Sequence, residues 1–173
     1  NTLITDISNY TLTQVEIDDE LFVRFNVGDF LKEFLQSYIS NSKKIKIISK
    51  LENKPSWIYA NKDKLAQVFI NLIENSLSFS PKYSEVLIDQ KIIDKRVVII
   101  FSDQGTGISQ NLANKIFERF YTDRAFDQNK HSGLGLSIAK KIIESFSGSL
   151  QLVEVENQEN LGACFEIILP LKD

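Results

Sequence analysis

"NLIENSLSFSP" (residues 71–81) closes a helix, and its reading decides the fold. Leu65, Val68, Phe69, Leu72 and Ile73 recur at helical spacing, so the stretch belongs to an amphipathic helix with one apolar side. Asn71 and Asn75 fall four residues apart, one above the other on a neighbouring stripe, with Glu74 beside them. Asparagine is a mediocre helix former because its side chain competes for the backbone. Two of them in register beside an apolar face call for a reason. Upstream, Asn61 can cap this helix, and Pro81 ends it.

Outward from this helix the chain alternates between paired strands and single helices. Asn26 reads as the cap of an earlier helix carrying Val27, Phe30, Leu31, Phe34, Leu35 and Tyr38. "KIKIISKLE" and "SWIYA" read as strands, and "SEVLIDQKII" and "RVVIIFSD" as a hairpin turning at Asp94-Lys95. A helix is expected around residues 109–121, ending in "IFERFY", followed by the polar, aperiodic "TDRAFDQNKHS". "GLGLSIAKKIIESF" carries Ala139, Ile142, Ile143 and Phe146 at helical spacing, with Gly148 just past its end. "SLQLVEVE" and "ACFEIILPL" close the chain as strands. Elements that come in pairs predict a mixed sheet covered by helices on one face, not a doubly wound parallel sheet.

Composition narrows the function classes. The 173 residues are 43% apolar and 25% charged, enough for one domain with a sizeable core. A net charge of −3 speaks against a nucleic-acid surface, which draws its affinity from basic patches. One cysteine and one histidine exclude an internal disulfide and a Cys/His zinc site within the chain. No run approaches the roughly 18 to 20 apolar residues of a membrane span, and no signal-peptide pattern opens the chain. Residues 1–17 place Leu3, Ile4, Ile7, Tyr10, Gln14 and Ile17 on one helical side, which suits a helix entering from a preceding domain or a core helix of this one. The start at Asn1, inside that pattern, reads as a fragment of something longer.

Two glycine segments carry the chemistry. "SDQGTGIS" (102–109) follows a β-branched strand and puts Asp103, Gly105 and Gly107 in one turn. Glycine there lets backbone approach a ligand, or simply serves a tight turn needing positive φ. "HSGLGLSIAKK" (131–141) opens a helix with Gly133 and Gly135, which suits an anion at the helix N-terminus or a flexible hinge. Gln110 and Ile138 occupy the third glycine places of a dinucleotide fingerprint, and no GxxxxGK[ST] motif is present.

Taken in order, Asn-x-x-x-Asn on a helix, Asp-x-Gly-x-Gly after a strand, "FERFY", and Gly-x-Gly-Leu opening a helix resemble the catalytic ATP-binding domain of sensor histidine kinases. The resemblance runs from about residue 26 to Leu171 and implies the Bergerat-type two-layer α/β sandwich shared with gyrase, mismatch-repair and heat-shock chaperone ATPases. It implies a catalytic domain at 18–173, with 1–17 as the end of a dimerisation and histidine-phosphotransfer helix. Its ligands would be ATP and Mg²⁺. Asn75 would give its amide oxygen to the metal and Asn71 would border the phosphates. Asp103 would accept from the adenine amine, with Gly105, Gly107, Ile108 and Phe117 around the base. Gly133, Leu134, Gly135 and Leu136 would meet the phosphates, Arg119 and Arg124 would pair with their charge, and residues 122–132 would form a lid.

Two positions depart from the pattern: Ser78 stands where a lysine or arginine is usual, and Ala163 where threonine is common. Losing one charge-assisted contact lowers affinity by roughly ten- to a hundredfold. His131 sits in the lid segment without an adjacent acid, so the phosphate-accepting histidine is expected outside this chain, on the protein's own dimerisation domain, for onward transfer to a response regulator receiver domain. Members of the family are usually homodimers, often anchored in a membrane with this domain in the cytoplasm. The competing readings are an ATP hydrolase of the same fold and a nucleotide-sensing module that transfers nothing.

Overall fold

Five strands make the main sheet, and the computed structural model describes residues 21–41, 46–82, 84–121, 133–153 and 162–172. A strand at Val23–Asn26 (β1) runs into a helix at Val27–Asn41 (α1). Asn26 caps it as expected, its Oδ1 accepting from the Gly28 N–H at 3.1 Å. Strands Lys46–Leu51 (β2) and Trp57–Ala60 (β3) follow. Asn61 then accepts from the N–H groups of Asp63 and Lys64, at 3.0 and 3.1 Å, to open helix Lys62–Phe79 (α2). That helix ends at Ser80, held extended as a residue before proline prefers.

Strands Glu85–Ile93 (β4) and Arg96–Ser102 (β5) are joined through Asp94 and Lys95 at φ 47° and 59°, a turn whose twist matches the hairpin. Helix Gly135–Ser145 (α3) and strands Ser149–Leu152 (β6) and Cys164–Pro170 (β7) complete the described elements. The main sheet runs β2-β4-β5-β7-β6, with β2 parallel to β4 and the other neighbours antiparallel. Strands β1 and β3 form a separate antiparallel pair. This is the mixed, mostly antiparallel sheet with helices that the element pairing predicts.

The core lies between the helices and one sheet face. Phe69 of α2 packs on Phe30 and Phe34 of α1, with ring centroids 6.2 and 5.4 Å away, and on Phe101 of β5 at 5.7 Å. Such rings supply large buried areas with preferred tilted geometries. Leu65, Leu72 and Ile73 of α2, Ile99 of β5 and Phe165 and Ile167 of β7 are fully buried in the same cluster. Helix α2 is thereby fixed with its C-terminal turns at the end of β5, where the acid-bearing turn begins. α2 also packs along α3.

Two details differ from expectation. The helix expected around 109–121 is two single 3₁₀ turns, Gln110–Leu112 and Lys115–Phe117. Their bonds run from Leu112 N–H to Ser109 O at 2.8 Å and from Phe117 N–H to Asn114 O at 3.3 Å, so each turn closes locally. Asn111 and Asn114 interrupt the segment, and among its described side chains Ile116 and Phe117 alone are buried. Strand β1 was not legible, being four residues long and running straight into a cap. Residues 1–17, Arg124 and His131 lie outside the described residues. Among those that are described, no helix is long and apolar enough to cross a membrane.

Candidate functional site

Asp103, directly after β5, is 1% exposed and bolted to the start of β7. Its N–H donates to Ala163 O at 3.1 Å, and its carbonyl accepts from the Gly162 N–H. One carboxyl oxygen, Oδ1, accepts from the N–H groups of Gly105 and Ala163, both at 2.9 Å. The other, Oδ2, is buried and has no hydrogen bond of standard geometry within the protein, with the Ser76 hydroxyl the group near enough to favour the ionised carboxyl. Burial pushes the Asp103 pKa up, opposed by the Gly105 and Ala163 N–H groups and by the Ser76 hydroxyl. A buried carboxylate oxygen left without a donor is costly, and a ligand donor arriving there would relieve it. The neighbouring Cys164 thiol is pushed up by burial and stays protonated, hydrogen-bonded with Ser102.

The glycines of this turn are demanded by close approach. A Cβ on Gly105 would lie 2.7 Å from the Phe79 carbonyl oxygen at the end of α2, and Gly107 has φ +74°. Gly162 is tighter still, since its Cβ would fall 2.2 Å from Asp103 Oδ1. Gly162 is not among the candidates the motifs give; its signal in the sequence is "LGACF" (161–165), a glycine opening the strand that answers the acid. Ile108 is half-buried against the core, whereas Phe117 is a core ring, edge-on to Phe165 at 6.3 Å with Lys140 Nζ 4.7 Å above it.

The second glycine segment meets the other end of the asparagine box. Asn71 Nδ2 donates to Gly135 O at 3.0 Å, so the start of α3 lies against Asn71. Leu134 occupies the cap position and is fully buried, its carbonyl accepting from the Ser137 hydroxyl at 2.8 Å and from the Ile138 N–H at 2.9 Å. The N–H groups of Gly135, Leu136 and Ser137 have no intrahelical acceptor by geometry, and they carry the positive end of the helix dipole. Leu136 is half-buried against the core. Gly133 has φ +69°, and its carbonyl accepts from the Phe120 N–H at 3.0 Å, bringing the two flanks of 122–132 together. Arg119 is exposed on the nearer flank.

Asn75 is half-buried between these two ends, and Glu74 is exposed, its charge beside Tyr38 of α1, whose pKa burial and then that charge raise. The axial distance from Asn71 to Phe79 is roughly 12 Å at 1.5 Å per residue. The C-terminal end of α2 therefore faces an acid with an open oxygen, and its middle, at Asn71, a helix start suited to phosphate.

A two-layer sandwich with these two glycine segments set along one helix defines a nucleotide-binding domain. The profile of the histidine kinase-, DNA gyrase B-, and HSP90-like ATPase family matches residues 60–173, and the chain belongs to that family. It is similar to Histidine kinase P4 of Formosa agariphila, 35% identical over 153 residues, covering 84% of this chain but 11% of that protein. It is 30% identical over 174 residues to Sensor protein kinase WalK of Staphylococcus aureus, covering 97% of this chain and 41% of that one. The chain thus spans less than half of each of these curated relatives. Among solved structures, the catalytic domain of histidine kinase ThkA matches with TM-score 0.70 and 27% identity, covering 87% of this chain and 95% of that one.

Proposed function

We propose that this chain is the ATP- and Mg²⁺-binding catalytic domain of a sensor histidine kinase, passing the γ-phosphate to a histidine on its own dimerisation domain. From there the phosphoryl group moves to a response regulator receiver domain. The observation that carries the reading is the buried Oδ2 of Asp103 at the C-terminal end of α2, with Asn71, about two turns earlier, held against the start of α3. The acid accepts from the exocyclic amine of adenine. The N-terminal N–H groups of α3 hold phosphate, and Arg119 and Arg124 add positive charge.

Among the described residues, no group of three or more His, Cys, Asp or Glu could cage a metal. A single amide oxygen from Asn75 fits Mg²⁺, which keeps water and phosphate oxygens as most of its ligands. When bound, the metal neutralises phosphate charge during transfer. Asn71 spends its amide on Gly135, so it positions the helix start and has no basic lone pair for activating water.

The test uses γ-labelled ATP. Label should pass to a supplied histidine-bearing domain from the same protein, should not accumulate on this chain alone, and should fall sharply with Asn75→Ala. Acid-labile label on His131 of the isolated chain contradicts the reading.

A further inference from the structure

Beneath the first turn of α1 lies a polar group that the nucleotide cleft does not use. Gln90 of β4 is 0% exposed, and both ends of its side-chain amide lack a hydrogen-bond partner within the protein. Its cross-strand neighbours are Leu51 and Ile99, whose side chains offer it nothing. A buried amide left in this state is costly, and native folds rarely leave one without a reason.

The amide is aimed at Gly28. A Cβ there would lie 3.4 Å from Gln90 Oε1, 3.4 Å from Asn26 Oδ1 and 3.2 Å from Ser56 Oγ. Three side-chain oxygens therefore border the space that glycine leaves open. Asn26 Oδ1 is fully used, accepting from the Gly28 N–H at 3.1 Å, the Ser56 N–H at 3.2 Å and the Ser56 hydroxyl at 2.9 Å. Ser56 Oγ is itself 3.1 Å from the donating Gly28 N–H and spends its proton on Asn26, which leaves it one lone pair. Ser56 and Gln90 thus border the same space, each with hydrogen-bonding capacity to spare.

We propose that Gln90 and Ser56 hold one internal water molecule at the N-terminus of α1, tying the helix to β4 and to the residue before β3. Charge selects the ligand. The helix N-terminus repels a cation, and the Asp29 carboxylate in the same first turn repels an anion. Water is neutral and both donates and accepts, so it completes the amide whichever of its two ends faces Gly28. It gives a proton to the remaining lone pair of Ser56 Oγ and meets the amide with its other side. The site shares no residue with the nucleotide cleft and does not rest on the reading of it.

The test reads water contacts at assigned protons of the whole chain by NMR. In the parent, the Gly28 N–H and the Gln90 side-chain amide protons should cross-relax with a water that stays far longer than surface water does. Gln90→Met keeps the length of the side chain and removes both amide ends, so its melting temperature should hold. The variant should lose the contact at the Gly28 N–H, and its water-oxygen relaxation dispersion should fall by the amplitude of a single water. A parent without a long-lived water at these protons overturns the proposal. So does a contact that survives unchanged in Gln90→Met. If that variant fails to fold, the parent measurement decides alone.

Discussion

Asp103 is pulled in opposite directions by its surroundings, and the balance sets a pH dependence. Burial raises its pKa above the ordinary carboxylate value, against the Gly105 and Ala163 N–H groups and the Ser76 hydroxyl. The folded chain therefore holds this proton at pH values where the unfolded chain has lost it. Its contribution to stability is full below the ordinary carboxylate pKa and declines as pH rises through the raised value. Adenine recognition runs the other way, because Oδ1 already accepts two N–H groups, so a proton would sit on Oδ2 and turn it into a donor. Affinity for Mg²⁺-ATP should fall as pH drops through that raised value, and titrations should lose this component in Asp103→Asn; a parallel profile in both proteins counts against it. Gly162 makes a second prediction. A methyl group there meets Asp103 Oδ1 at 2.2 Å and the Gly105 N at 2.4 Å. Gly162→Ala should cost about 1–3 kcal/mol in a denaturation experiment and strip most ATP affinity. The acid was legible as a strand-ending aspartate before two glycines. Which of its oxygens stays open was not, because that depends on residues 60 positions away in sequence.

Helix α2 is the element on which the account turns. Its cap, length and stop were legible, since Asn61, the apolar stripe and Pro81 are local signals. Its neighbours were less so. The segment after Gly107 was expected as a helix and is two 3₁₀ turns, because Asn111 and Asn114 favour local closure and too few apolar residues repeat to bury a longer helix. The short β1 has no periodicity of its own and exists because β3 pairs with it. The cap yields a clean test of the division of labour along α2. Asn61→Ala removes two N–H acceptances and should cost about 1 kcal/mol, lowering Tm by a few degrees. Asn61 lies at the end of the helix away from Asn71, Asn75 and Ser76, so calorimetric ATP affinity should stay within about twofold; a larger loss would show that the helix moves as a unit.

At the scale of the molecule, the sequence pattern predicted a mixed sheet but not its order. The parallel β2–β4 pairing and the placement of β7 between β5 and β6 are long-range outcomes that no local period encodes. What that order achieves is convergence: the ends of β5 and β7 meet the last turn of α2, while α3 returns along α2 to set Gly135 against Asn71. The same arrangement gives a kinetic expectation. With Asn71 engaged and Glu74 exposed beside Tyr38, no general base is placed at the phosphate side among the described residues, a contribution of about 10² to 10⁴ in rate. Free ATP should be hydrolysed far below 1 s⁻¹, the low end for competent enzymes. Hydrolysis near that rate, abolished by Glu74→Gln, would favour the hydrolase reading. The most direct measurement of the central claim is nucleotide competition on this chain with Mg²⁺ present. Guanine sets a carbonyl oxygen against Asp103 where adenine offers an amine, so ATP should outcompete GTP at least tenfold and Asp103→Ala should abolish binding. Equal competition by the two nucleotides, or full ATP affinity in Asp103→Ala, would contradict it.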